Sequence, residues 1–354
     1  MALQGGRVLK RARSRHPVLV FIAVRLIALI GLALGITLVA FILTQLVPGN
    51  PAVANLGQQA ANNPAAIHAF DVRYGLDKPL PVQYVTYLDQ LLHGNLGVSE
   101  QTQRPVLTDL ESYAPATAEL ALTAMLIAAV VGVGLGLLAA LRRGGWIDQV
   151  VRVFSLIGVS IPIFWFGLLG LYVFYLRFGI LPGVGRLDPT LLPPPQVTGF
   201  YTIDSLLAGQ WPVFVNALWH LTLPALVLAA PVASLITRFT RAAVLDVIGN
   251  DYISAAKAKG LPPRTVVFRH LLRAAFPSIL TVTGLALANV LTGTVLVEEI
   301  FSWPGIGQYA YNSAINLDLP SIMGVTIFVA IVYTLTNLLV DVLYTVIDPR
   351  VRLA

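Results

Sequence analysis

Few residues in this chain are placed to do covalent chemistry. There is no cysteine, which removes thiolate nucleophiles, zinc–thiolate sites and disulfides. The five histidines are scattered singly and form no H-E-x-x-H-like pair, so no metal site is expected. No G-x-x-x-x-G-K-[ST] run occurs, and so the chain does not hold ATP by a P-loop. Neither paired intramembrane carboxylates nor a Ser/His arrangement speaks for an enzyme. Three groups of residues remain, and their chemistry is that of docking and passage rather than bond-making. They are the basic stretch Asp251–Pro277, the turn-forming run Val297–Gly307, and polar uncharged side chains inside apolar runs.

The stretch Asp251–Pro277 reads D-Y-I-S-A-A-K-A-K-G-L-P-P-R-T-V-V-F-R-H-L-L-R-A-A-F-P. Helix formers fill Asp251–Lys259, with Asp251 at the start and Lys257 and Lys259 at the end, the charge order that suits the helix dipole. Gly260 then supplies a stop, and Pro262-Pro263 forbids an unbroken helix. A second helical run carries Val266, Val267, Leu271 and Leu272 as its apolar set, with Arg264, Arg269 and Arg273 spaced along it. The expectation is helix, break, helix, lying on the water side of a membrane. Tyr252, Ser254, Ala255 and Ala256 belong to the first helix, where the alanines either favour helix or allow close approach of a partner. The arginines can meet a partner protein or anionic lipid headgroups.

In the second group, Trp303-Pro304-Gly305 is a turn with an interfacial aromatic anchor, preceded by Glu298, Glu299 and Phe301. It either ties a loop to the bilayer surface or forms an external gate or a contact with a delivering protein. In the third group, Ser160, Asn289, Thr292, Thr294 and Asn337 are candidates for a translocation path. Residues of these types also make helix–helix hydrogen bonds. Asn289 is the strongest of them, because a mid-span amide needs a partner or water.

These groups must be positioned by membrane helices. The 354 residues are 56% hydrophobic and only 11% charged, with a mean hydropathy of +0.78, far from a soluble chain's roughly one quarter charged. Leu26–Val47 is charge-free and spans about 33 Å as a helix, too long for a signal-peptide core and enough for the hydrocarbon layer. Five further runs follow: Leu120–Leu141, Val153–Leu176, a stretch within Ser205–Thr237 whose helix is expected over about Asn216–Thr237, Ala274–Val297 and Leu319–Val340. The fold class is therefore an all-α polytopic membrane protein with six transmembrane helices. Ser160-Ile161-Pro162 should kink the third span, and Gly132, Gly134 and Gly136 suggest close packing of the second.

With the N-terminus taken as cytoplasmic, the outer segments hold only Arg73, Lys78, Arg104, Arg177 and Arg186, and the other 18 of the 23 basic residues lie inside. Both termini are then cytoplasmic, as is Asp251–Pro277. The domain plan is a basic tail over 1–24 and a transmembrane domain over 25–350, then a tail over 351–354. Within 25–350 lie an extracytoplasmic insert at 48–118, an extracytoplasmic loop at 177–212 and a cytoplasmic loop at 238–277. The net charge of +6 lacks the aromatic-interleaved groove of a nucleic-acid binder and reads as membrane-flanking charge. The six runs contain no Asp, Glu, Lys or Arg, so an ion-coupled relay is not evident, and Asp341 lies just beyond the sixth. Energy should come from a partner, and the basic two-helix insert is where a partner would push.

The run D-Y-I-x-x-A-x-A-K-G-L followed by H-L-L-R-x-A resembles the cytoplasmic coupling loop of ABC-importer permeases of the dipeptide/oligopeptide/nickel branch. The family's Glu-Ala-Ala, three residues, Gly reads here Ser254-Ala255-Ala256, three residues, Gly260, so the acidic first position is lost. The opening V-P-G-N-P-A (Val47–Ala52), the run Tyr74–Tyr84, Gly94-Asn95-Leu96-Gly97, the E-x-x-F-x-W-P-G-x-G pattern from Glu298 to Gly307 and Asn337–Arg350 are similar to the same branch.

That resemblance implies a type I ABC-importer permease fold in a bacterial inner membrane, forming the path for di- or oligopeptides, with nickel or another small solute as the alternative cargo. It implies a second homologous permease, two ATP-binding subunits that use ATP and Mg, and an extracytoplasmic solute-binding protein. No cofactor is expected in this chain. A self-sufficient, ion-coupled secondary transporter is the alternative from another class.

Overall fold

The computed structural model describes residues 30, 31, 34–39, 41, 42, 63–75 and 77–347, with the side chains of 70, 73, 74, 288, 289, 291, 292 and 341–347 excepted. Most of the expected first span Leu26–Val47 and both tails, 1–24 and 351–354, lie outside them. Among the described residues the chain is helical throughout, with one isolated antiparallel bridge, Val98 to Pro105. The elements are α1 (Pro64–Tyr74), α2 (Leu80–Leu92), α3 (Val106–Leu141), α4 (Trp146–Ser160), α5 (Ile163–Gly170) running into a π-helical turn (Leu171–Arg177), α6 (Tyr201–Leu207), α7 (Trp211–Ile248) and α8 (Asp251–Ala258). One turn at Pro263–Thr265 and a π-helical turn at Val266–Leu271 then lead into α9 (Leu272–Ile300), α10 (Ile306–Ile315) and α11 (Leu319–Ile347).

Four helical stretches are long and apolar enough to cross a membrane, and the bent pair α4–α5 brings the number to five among the described residues. The bent pair departs from its expected form. Instead of one kinked span over Val153–Leu176, the chain turns by 104° between α4 and the helix that follows it. The cause is local: Ile161 precedes a proline and takes an extended conformation (φ −79°, ψ 126°), while Pro162 cannot donate to the turn before it.

The fourth run departs in the opposite sense. The expected helix over Asn216–Thr237 is in fact α7, 38 residues unbroken from Trp211 to Ile248, carrying Pro224 and Pro231 in its interior. Pro212 sits in its first turn, where a missing N–H costs nothing. Burial outweighs the interior prolines, since Leu221, Leu223, Ala225, Val227, Leu228 and Ile236 are all buried along this helix. At 1.5 Å per residue α7 is about 57 Å long, so it must extend beyond a hydrocarbon core of about 30 Å. Likewise α3 begins at Val106 rather than Leu120, so the end of the 48–118 insert is the first part of this long helix, entered past Pro115.

The core lies where α3, α7 and α9 meet, and small residues make that approach possible. Ala116, Ala121, Ala124 and Ala128 of α3 are buried against α7 and α9. A Cβ on Gly132 would meet Ile236, and one on Gly136 would meet Thr240 and the Thr237 carbonyl, whereas Gly134 faces open space. Gly136→Val should therefore cost about 1–3 kcal/mol by overpacking. The measurement is a thermal melt of the purified chain, with Gly134→Val expected to leave it unchanged. An equal loss at both positions would mean that helix propensity, not contact with α7, is responsible.

Candidate functional site

The first candidate site is the α8–π-turn segment. Gly249 and Asn250 end α7, and α8 begins with Asp251 in its first turn and carries Lys257 in its last. Gly260 adopts φ +73°, a left-handed conformation that glycine alone takes without strain, and its N–H donates to the Lys257 carbonyl at 3.0 Å. Pro262-Pro263 then restarts the helix. One side of the segment turns inward: Ile253, Ala256, Val266 and Leu271 form one buried cluster with Ala140 of α3, Val244 of α7, and Ala275 and Ile279 of α9.

The outer face of the segment is exposed. It presents Asp251, Tyr252, Ser254, Ala255, Lys257, Lys259, Gly260, Arg264 and Arg269. The two alanines thus part company: Ala255 lies on the open face, and Ala256 is 5% exposed and belongs to the clamp. Phe268, which no sequence motif singles out, is 63% exposed beside Arg269. The signal that could have found it is its helical phase, about half a turn from the buried Val266. The result is an apolar inner face that fixes this segment to three long helices, and a basic outer face with two aromatic side chains available to a partner.

The second candidate site is at the opposite end of α9, and the structure places its residues inward. Glu298, Phe301 and Trp303 are 0, 1 and 1% exposed. The Glu298 carboxylate accepts the N–H groups of Gly307 (2.6 Å) and Gln308 (3.1 Å) on one oxygen and the Thr117 hydroxyl (2.7 Å) on the other. Thr117 in turn accepts the N–H of Ile306 at 2.8 Å. The first three backbone donors of α10 are thus satisfied by side chains from α9 and α3. Gly305 and Gly307 stand directly over that carboxylate, and a Cβ on either would collide with it. This accounts for the small residues in W-P-G-x-G.

Trp303 donates its indole N–H to the Ala116 carbonyl at 2.9 Å and its backbone N–H to the Glu298 carbonyl at 2.8 Å. Glu299 differs from its neighbour: it is half-buried, and its Oε2 is enclosed without a hydrogen-bond partner among the described residues.

Around this turn lies a polar layer that no sequence motif announced. Arg186 is buried, donating to Glu119 Oε2 at 2.5 Å and to the Gly199 carbonyl at 2.9 Å, with its guanidinium 3.6 Å from the Tyr201 ring centre. Glu119 also accepts the Thr202 N–H and hydroxyl at 2.8 and 2.6 Å. Asp204 closes the loop before α6. Burial opposes its charge, but donors from Thr198, Gly199 and Val197 more than offset this and hold its carboxyl below the ordinary range. Asp318 accepts the hydroxyls of Ser99 and Ser321 at 2.6 and 2.8 Å. The carboxylates of Glu119, Asp204, Glu298 and Asp318 are thus all engaged by internal donors.

Of the path candidates, Ser160, Thr294 and Asn337 have described side chains, on three different helices. Ser160 is exposed at the end of α4 and bonds back to the Leu156 carbonyl at 2.9 Å. Thr294 is buried in α9, and Asn337 is half-buried in α11. The side chains of Asn289 and Thr292 lie outside the described residues. An apolar cleft of about 520 Å³ between α3, α5 and α7 is lined by residues such as Ile127, Phe166, Leu169, Val227 and Ala230, and by none of these candidates.

Residues 132–353 match the family described as binding-protein-dependent transport system inner membrane component, and residues 18–121 match the N-terminal part of such membrane components. The chain is 45% identical to a probable D,D-dipeptide transport system permease protein, DdpB, of Escherichia coli, over 90% of this chain and 93% of that one. It is 43% identical to a di/tripeptide transport system permease protein, DppB, of Pseudomonas aeruginosa, over 94 and 98%. It is 39% identical to the dipeptide permease DppB of Alkalihalophilus pseudofirmus, over 93 and 98%. Among solved structures, an inward-facing form of the MetNI methionine ABC transporter matches with a TM-score of 0.49 and 17% identity, over 66% of this chain and 93% of that one.

Proposed function

Because the chain belongs to the binding-protein-dependent transport system inner membrane components, the multi-pass permease subunits of ABC importers whose ATPase is a separate chain, we propose that it forms half of the translocation path of an importer for di- or oligopeptides. The cargo is inferred from relatives named for dipeptides and tripeptides over nearly their whole length. On this reading the protein resides in a bacterial inner membrane with both termini cytoplasmic. It pairs with a second homologous permease and receives substrate from an extracytoplasmic binding protein. Two ATP-binding subunits, using ATP and Mg, drive it.

The observation that carries the reading is the two-faced segment Asp251–Arg273, clamped inside by Ile253, Ala256, Val266 and Leu271 and basic and aromatic outside. A helix fixed to three long helices and open on its other side transmits a push as a rigid-body rotation. Tyr252, Ala255, Lys257, Lys259, Arg264, Phe268 and Arg269 are the proposed contact set. At the external end Glu299, half-buried where Glu298 is fully enclosed, is the better candidate of the two for a peptide ammonium or a basic residue of the binding protein.

The test is purification from the native membrane in mild detergent, with the co-purifying chains identified. Two P-loop ATPases and a second permease are expected with the wild type. In Gly260→Trp the new side chain has open space around it, but left-handed strain costs about 1–2 kcal/mol and displaces the turn. The ATPases recovered should fall by about tenfold, which is 1.4 kcal/mol of binding, while the second permease is retained. Recovery of this chain alone, transporting peptide in vesicles without ATP, would refute the importer reading and restore the secondary transporter.

A further inference from the structure

We propose that Asp148 and Arg241 form a strut that makes α4 move with α7, so that the two residues set how much transport each ATP yields. The proposal rests on the reading of Asp251–Arg273 as the point of drive. Arg241 lies in α7 two turns before its end at Ile248, and α8 begins only three residues later, so a displaced α8 takes this end of α7 with it. Asp148 lies in the first turn of α4 and is 1% exposed. The pair is bidentate: Arg241 Nε donates to Oδ1 at 2.7 Å and Nη2 to Oδ2 at 2.9 Å. Gly144 N–H donates to Oδ2 at 3.0 Å, and Arg152 stands at 3.8 Å from Oδ1, so every face of the carboxylate is held.

The position of the pair is what argues for transmission. Near its start α4 exposes Trp146, Val150, Val153 and Phe154, and of its side chains only Asp148, Val151 and Ser155 are buried. Further along, Gly158 passes close to Ser234 of α7 with no room for a Cβ, a contact that permits sliding. The bidentate pair resists sliding, because a planar fork on a carboxylate is specific in direction as well as distance. Beyond α4 the chain turns by 104° into α5, so what the strut conveys to α4 reaches α5 through a corner. With the strut intact, α4, α5 and α7 rotate as one body. Without it, α7 can move and leave α4 behind.

The chain has no cysteine, so Asp148→Cys with Arg241→Cys introduces its only two thiols. The complex with its ATPase subunits and binding protein is placed in vesicles, and peptide uptake is measured per ATP hydrolysed, before and after bridging the thiols with a short bifunctional reagent. Before bridging, hydrolysis should persist while peptide moved per ATP falls by about tenfold, within the usual range of a coupling free energy. Bridging should restore it. An unchanged ratio, with uptake and hydrolysis falling together, would make the pair merely structural. A ratio that stays low or drops further on bridging would make it a contact that must open during the cycle. Either result overturns the strut. Should the double variant not assemble, Arg241→Lys keeps the charge and loses the fork, and an unaltered ratio there is equally fatal. A wild type whose uptake needs no ATP would instead sink the importer reading itself.

Discussion

Replacing Trp303 by alanine is expected to cost about 3–5 kcal/mol and to loosen the end of the molecule around α10. The side chain is 1% exposed, and removing it opens a cavity among residues that include Ala116 and Leu120 of α3 and Phe301. The indole also contributes a hydrogen bond to the Ala116 carbonyl and lies 5.6 Å from the Arg186 guanidinium. Because the α3–α7–α9 contact continues well beyond this turn, the loss should be local before it is global. Limited proteolysis of the purified chain should cut near 301–318 at protease levels that spare the wild type. Trp303→Phe keeps most of the volume and loses only the indole N–H, so it should cost about 1–3 kcal/mol. Equal effects of the two substitutions would show that the cavity is not the source of the loss.

Arg186→Met should be comparably damaging, for an electrostatic reason. Glu119 is 3% exposed, and without Arg186 it keeps only the Thr202 donors on one of its two oxygens. Leaving one member of a buried ion pair uncompensated costs about 3–5 kcal/mol, although the intact pair adds much less than that. The prediction has a built-in rescue: Arg186→Met with Glu119→Gln removes the stranded charge and keeps an acceptor for Thr202. Thermal melting of the two single variants and the double should show the double recovering most of the loss. If Arg186→Met alone melts like the wild type, water reaches Glu119 and the pair is not desolvated as its burial indicates.

The same residues show where local reading stops. The clamp under α8 was legible only in part: Val266 and Leu271 stood out as apolar, whereas Ala256 was open to either a helical or a partner-contact role and Ile253 carried no signal of its own. Glu298 was visible as part of a motif, but its work was not. It caps a helix that begins eight residues later, through a threonine 181 residues away in sequence, and no local cue distinguishes it from the exposed carboxylate it was read as. Pro224 and Pro231 lie inside the expected helix and inside the observed one, because each lost hydrogen bond is a small term against the burial of one whole helix face on α3; what local reading missed is how far the helix runs past Asn216 and Thr237, to Trp211 and Ile248.

From the amino-acid order alone came the membrane class, the helix–break–helix segment with its glycine stop, and the family, because each depends on composition, on helical spacing or on a contiguous motif. Only the tertiary structure decided that the third run is two helices at a sharp angle, that α7 is continuous, and that Glu298, Glu119 and Asp318 are occupied by internal donors. It also paired Asp148 with Arg241 and Arg186 with Glu119. The physical reason is common to these cases. Burial and charge pairing depend on which segments come together, and partners 67 and 93 residues apart leave no mark on the sequence around either one.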